Sequence, residues 1–168
     1  LLPLAGEPVR QVVSAVMDPF RTARSWLTSP ADREAVEKQA RRALAPAWKA
    51  VGWEAGKGKT DDDERRALRS DVLAFMVFTA HDPAVRKEAA AKGRAYVGYG
   101  ADGALHPDAV DKDLAGICLA VAAEEGDAAF FDHLVRHLDR STDEVVKSQL
   151  LAAIGSFRAP DLAARALA

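Results

Sequence analysis

The sequence is poor in the features that most often carry chemistry. It has a single cysteine, Cys118, so no disulfide can close within the chain. That cysteine sits in an apolar helical pattern and reads as a small core residue rather than a nucleophile. No apolar run approaches the ~20 residues a membrane span requires. Charge of one sign is missing too: the formal net charge is -2. Residues 1–60 carry 10 basic and 6 acidic side chains, and the remainder 13 and 19. Neither part is a basic block, which argues against nucleic acid as a partner. No signal peptide is visible. The chain opens on LLPLAGEPVR with no initiator Met and reads as a piece cut from something longer, so its compartment stays open. No segment alternates polar and apolar as a half-buried strand would.

What is present is helix. Hydrophobic residues make up 49% of the chain and charged residues 29%, enough of each for a folded core with a solvated surface. Four prolines stand where helices should begin, at Pro30, Pro83, Pro107 and Pro160. Proline suits the first helical position because the N–H it lacks would have no partner there. Thr60-x-x-Asp63 and Ser141-x-x-Glu144 have the form of capping boxes, and Asp61, Asp62 and Asp63 suit the positive end of a helix dipole.

Apolar residues recur at helical spacing. Leu68, Val72, Leu73 and Met76 form one stripe, and Val110, Leu114, Ile117, Cys118 and Val121 another. Phe131, Leu134, Val135 and Leu138 make a third, and Val146, Leu150, Leu151 and Ile154 a fourth. The pattern predicts about eight helices, over 7–28, 31–50, 61–80, 83–97, 107–125, 127–140, 142–156 and 160–167. Pro19 and Pro46 are expected to kink or split the first two. The main loops are 51–60 and 98–106. Val72-Leu73…His81-Asp82 lines up with Ile117-Cys118…Gly126-Asp127 at an offset of 45. That offset matches the ~40–47-residue period of helical-hairpin solenoids. The expected architecture is all-α, a single domain of antiparallel helical hairpins stacked as a HEAT/armadillo-like right-handed superhelix.

Three motifs come close to chemistry and miss it. HLVRH puts His133 and His137 on one side of a helix, as in a zinc peptidase. A zincin helix reads H-E-x-x-H, and its Glu activates the metal-bound water. Here that position is Leu134. In the aminopeptidase zincins the third ligand is a Glu nineteen residues past the second His, which here is Ser156. The two residues therefore read as half-exposed helix histidines, with no metal assigned. GWEAGKGKT resembles a phosphate-binding loop, but Trp53 stands where the first Gly is required and Gly52 is one position early. GYGADG, residues 98–103, matches G-x-G-x-x-G, with Glu124 about twenty residues on. Its upstream segment KEAAAKGRAYV is helix-forming, whereas a dinucleotide site needs a strand there. The glycines are expected to end that helix with a left-handed cap.

Elsewhere Ser141, Ser148 and Ser156 lack the glycines of a nucleophile elbow, and Glu124 and Glu125 read as solvated surface. Arg65, Arg66 and Arg69 have the charge to meet a peptide carboxylate. The plainer expectation is that they are solvated, or pair with Asp61–Asp63 and Asp71 on their own helix. No catalytic, cofactor, metal or substrate-binding residue is assigned.

The order of the helices carries a resemblance. AWKAVGWEAGKGKT, residues 47–60, followed by DDDERRALRSDVLAFMVFTAHDPAVRKEAAAKGRAYV, resembles the C-terminal helical domain of the aminopeptidase N family of zinc peptidases, as in the endoplasmic-reticulum aminopeptidases. Val51-Gly52-Trp53 is similar to that family's Leu-Gly-Trp-like helix end. Leu68-Arg69-Ser70 is similar to its Leu-Arg-Ser helix, and His81-Asp82-Pro83 to the short break that follows. LHPDAVDKDL and STDEVVKSQLLAAIGSFRAPDLAARAL resemble later helix starts, though Val146 intrudes before Lys147 and the aromatic-rich segment ahead is shortened. The likeness covers about residues 10–168.

The resemblance implies a domain without catalytic residues of its own. In the family, zinc and the H-E-x-x-H helix belong to a separate catalytic domain, and the helical domain is a curved bowl that covers the active site, limits peptide access and in some members moves. The implied partners are that catalytic domain and peptide substrates, with zinc as a cofactor outside this chain. A second reading stays open, a free-standing helical-repeat scaffold for another protein. On either reading, self-association is expected through uncovered apolar faces of helix 7–28 or helix 142–167.

Overall fold

A computed structural model describes residues 9–27, 29–54 and 62–167. Among them are eight α-helices and no strand. They are α1 (Arg10–Trp26), α2 (Pro30–Val51), α3 (Asp63–Ala74), α4 (Pro83–Tyr96), α5 (Lys112–Glu124), α6 (Ala128–Arg140), α7 (Glu144–Ile154) and α8 (Pro160–Ala166). The all-helical class and the helix count are those the sequence predicts. The chain divides into two compact units, Leu1–Arg86 and Lys87–Ala168.

In the first unit α1, α2 and α3 pack on one another. Val13, Val16 and Met17 of α1 meet a core that includes Leu44 and Ala47 of α2 and Leu68, Val72 and Leu73 of α3, all buried. Arg10 Nε holds Asp71 at 2.6 Å, joining α1 to α3. Arg24 Nε holds Glu37 at 3.0 Å, joining α1 to α2. Neither Pro19 nor Pro46 splits its helix. Both rings are exposed, as are Ala15 and Arg42, whose carbonyls lose their helical donor. Water can satisfy those carbonyls, so the helices run through.

The helix expected over 61–80 is α-helical only to Ala74. Phe75–Thr79 form a π turn, closed by Ala80 N–H donating to Phe75 O at 2.9 Å. Phe75, Met76 and Val77 are consecutive and all buried. At 100° per residue an α-helix spreads three neighbours over more than half its circumference, and periodicity alone gives no warning of a wider turn.

In the second unit α7 packs on both α5 and α6. Helix α5 is buried nearly all round, through Leu114, Ala115, Cys118, Leu119, Val121, Ala122 and Ala123. Phe130, Phe131, Leu134, Leu150, Ala153 and Phe157 complete this core. Leu151, assigned to the fourth stripe from sequence, is 56% exposed; Ala153 takes the inward position. The segment 107–125 is also not one helix. Pro107–Ala109 make a separate 3-10 turn, Val110 is extended, and α5 begins after Asp111.

Aspartates do most of the capping. Asp62, Asp111, Asp127 and Asp143 each accept backbone N–H bonds at the start of α3, α5, α6 and α7, and Asp82 does so for Ala84 and Val85 at the start of α4. The box expected at Ser141 does not form. Asp143 instead accepts from Val145 and Val146, while Glu144 pairs with Lys147 at 2.9 Å. An ionised carboxylate outcompetes a hydroxyl at the positive end of a helix. Thr60 and Asp61 lie outside the described residues.

Candidate functional site

The histidines of HLVRH are on α6, which starts at the Asp127 cap and carries them one turn apart. His137 stands half-exposed, as the spacing suggests of both, whereas His133 is buried. His133 is 9% exposed, with its Nε2 at 2.6 Å from the carbonyl oxygen of Val97. His137 Nε2 lies 3.1 Å from the same oxygen and 3.2 Å from His133 Nε2. The Tyr99 ring meets both His133 and Phe130 edge-on.

Val97 is brought there by the glycines after it. Gly98 N–H donates to Ala95 O and Tyr99 N–H to Arg94 O, the paired bonds of a Schellman cap. Gly98 has φ +59, and a β-carbon there would meet the backbone of Ala104 at 2.5 Å. Gly100 and Gly103 also have positive φ. GYGADG is therefore the left-handed helix end predicted for it, and the carbonyl of Val97 just ahead of it receives the histidines.

This geometry does not fit a hydrolytic zinc centre. Leu134, in the position of the zincin Glu, is fully buried in the core. Ser156, in the position of the third ligand, is half-buried, and its hydroxyl donates to Ala152 O at 2.8 Å. Among the described residues no three His, Cys, Asp or Glu side chains come together as a metal-binding group. Both imidazoles are turned to a peptide carbonyl, as structural histidines are. Burial lowers the pKa of His137, the charge of His133 lowers it further, and Arg140 and Arg136 add to this against the raising effect of the Val97 carbonyl.

The other sequence candidates fall apart in space or into the scaffold. Of GWEAGKGKT, residues 55–60 lie outside the described residues; Trp53 stacks edge-on against Trp48. Cys118 is fully buried, and burial pushes its thiol up to about 12. Glu124 is not simple surface: it is half-buried and accepts from Arg158 at 2.7 Å, while Glu125 is exposed. Arg66 pairs with Asp63 as expected, and Arg65 donates to Ala50 O at 2.6 Å.

Arg69 departs from expectation, being 2% exposed with its Nε donating to Val51 O at 3.2 Å. Its spacing to Val72, Leu73 and Met76 puts it on the apolar stripe, a signal present in the sequence. Arg86 Nη1 donates to Val77 O at 2.9 Å and Arg41 Nη1 to Ala80 O at 2.7 Å. Both serve carbonyls in or just after the π turn, so neither was legible without it. His81 follows that turn with φ +46 and accepts from Arg24 Nη2 at 2.8 Å. A guanidinium has only donors, so Nε2 must be the acceptor.

The described residues are thus a scaffold of capped helices with basic side chains on backbone carbonyls. The sequence matches the family of the ERAP1-like C-terminal domain over residues 1–168, its whole length. The chain belongs to that family. Comparison with curated proteins found no match. As an ERAP1-like C-terminal domain it is a domain of aminopeptidases. No described helix is long and apolar enough to cross a membrane.

Proposed function

We propose that this chain is a non-catalytic C-terminal domain of a zinc aminopeptidase, which caps the chamber of a separate catalytic domain and shapes which peptides reach it. The observation that carries this reading is family membership along all 168 residues. Zinc, the attacking water and the grip on the substrate's amine then belong to the catalytic domain of the same polypeptide. This chain supplies a wall. The physical basis is that a helical scaffold keeps its core while its outward side chains vary, which suits a surface that meets many peptides.

The test compares the aminopeptidase that carries this domain with a form lacking residues 1–168. The expected result is a changed ratio of kcat/KM between long peptides and a single aminoacyl-coumarin. An unchanged ratio overturns the capping role. The isolated chain, supplied with zinc, should not hydrolyse aminoacyl-coumarins; turnover abolished by His133→Ala overturns the non-catalytic assignment.

We also infer self-association of the isolated chain. Trp26 at the end of α1 is 81% exposed, and Val145 and Leu151 on α7 are 66% and 56% exposed. Large apolar side chains this open favour a covering surface. Sedimentation should show a concentration-dependent mass, and a strict monomer at high concentration counts against it.

A further inference from the structure

On α6, positions 133, 136, 137 and 140 are His, Arg, His and Arg. The spacing i, i+3, i+4, i+7 puts all four on one face of the helix. These four side chains, with Asp102 and Gly103, line a pocket of about 250 Å³. We propose that this pocket binds a divalent oxyanion of the phosphate or sulfate class, held by Arg136 and Arg140 with His137 beside them.

The fold gives no other account of this charge. Arg136 and Arg140 are like charges one turn apart, an arrangement that weakens a helix. Among the described residues neither makes an ion pair or a side-chain hydrogen bond. Asp132, at helical spacing from Arg136, is taken by Arg165 at 2.6 Å. The C-terminal dipole of α6 favours cations in the last turn, which accounts for His137 and Arg140 but not for Arg136 and His133 ahead of them.

The single acid at the pocket is already engaged. Asp102 accepts from Ala104 N–H at 3.0 Å and lies 2.8 Å from His106 Nε2. Those two contacts, in that order, hold its carboxyl below the usual range, so it is ionised and offsets one positive charge. Against the two guanidiniums that leaves one net positive charge while the imidazoles are neutral, and a proton taken up by His137 makes it two. With His137 protonated the pocket matches a divalent tetrahedral anion, and guanidinium offers the matching donors.

The surroundings of His137 agree. Apart from burial, its pKa is lowered by His133, Arg140 and Arg136, so the field at that ring is positive. The groups facing it are His133, Arg136 and Arg140 on its own helix, and from the facing loop Asp102 and the Val97 carbonyl. An anion in the pocket would reverse the field and draw a proton onto the ring. This site does not depend on the role proposed for the domain.

The experiment is calorimetric titration of the full chain with sulfate, inorganic phosphate, phenyl phosphate and acetate at constant ionic strength. Sulfate and phosphate should saturate one site. Arg136→Gln with Arg140→Gln should bind roughly tenfold more weakly, whereas Arg42→Gln on α2 should not differ. Sulfate stays divalent across the imidazole range, so its affinity should rise from about pH 8 to about pH 5.5, with the rise reduced in His137→Gln. Phenyl phosphate binding more tightly than phosphate assigns the pocket to phosphomonoesters, and the reverse order to the free ion. The proposal is overturned by the absence of saturation, by an equal affinity in the double variant, or by acetate binding as tightly as sulfate.

Discussion

Gly93 on α4 and Cys118 on α5 bring two helix backbones into direct contact. A β-carbon at Gly93 would lie 2.6 Å from the carbonyl carbon of Cys118 and 3.0 Å from Leu119 N. Both are backbone atoms, so nothing can rotate aside. Gly93→Ala is expected to force the helices apart and cost about 1–3 kcal/mol or more. Urea unfolding of the two proteins measures it. An unchanged midpoint would mean that the helices can separate freely.

Cys118 beneath that contact should be inert. Its thiol is buried and pushed up to about 12, while the thiolate is the reactive form. A chromogenic disulfide reagent should label it only in denaturant. Rapid labelling of the folded chain would place it nearer the surface than the packing of α5 allows.

Arg69 is expected to behave as a core residue. Arg69→Met keeps volume but leaves the Val51 carbonyl without that donor, at about 1–3 kcal/mol. Arg66→Met, which removes an exposed pair with Asp63, should cost under about 1 kcal/mol. Denaturation midpoints of the two variants separate these cases, and equal midpoints would refute the difference in burial.

His137 contributes a pH dependence of defined sign. Its folded pKa lies below the ordinary imidazole value, through burial first and the charge of His133 next. The folded chain therefore binds fewer protons than the unfolded one at this site. The stability associated with the group is intact above ~6.5 and declines as pH falls below it. Unfolding between about pH 7.5 and about pH 5 should show a smaller decline in His137→Gln than in the unaltered chain. An identical profile, in the absence of sulfate and phosphate, would remove His137 from the account.

Much of this was legible in the sequence, for local reasons. Pro30, Pro83 and Pro160 mark helix starts because proline fixes the first turn whatever packs on it. GYGADG ends α4 because glycine tolerates positive φ. The departure of HLVRH from the zincin pattern could be read from Leu134 and Ser156. Other features were hidden because they depend on partners distant in sequence. His133 reaches Val97 across 36 positions, and Arg41 reaches Ala80 across 39. The basic face at 133, 136, 137 and 140 was present in the string, but the pocket exists only once the 98–106 loop lies against it.

The sequence by itself determined the helical class, most helix starts and the departure of HLVRH from the zincin pattern, since hydrophobic period, backbone preference and side-chain chemistry act over a few residues. Tertiary structure decided which polar groups are buried, where α3 widens into a π turn, and why Gly93 has no side chain. Those outcomes turn on whether a carbonyl or a helix backbone from elsewhere in the chain arrives within a few ångströms, and no local pattern encodes that arrival.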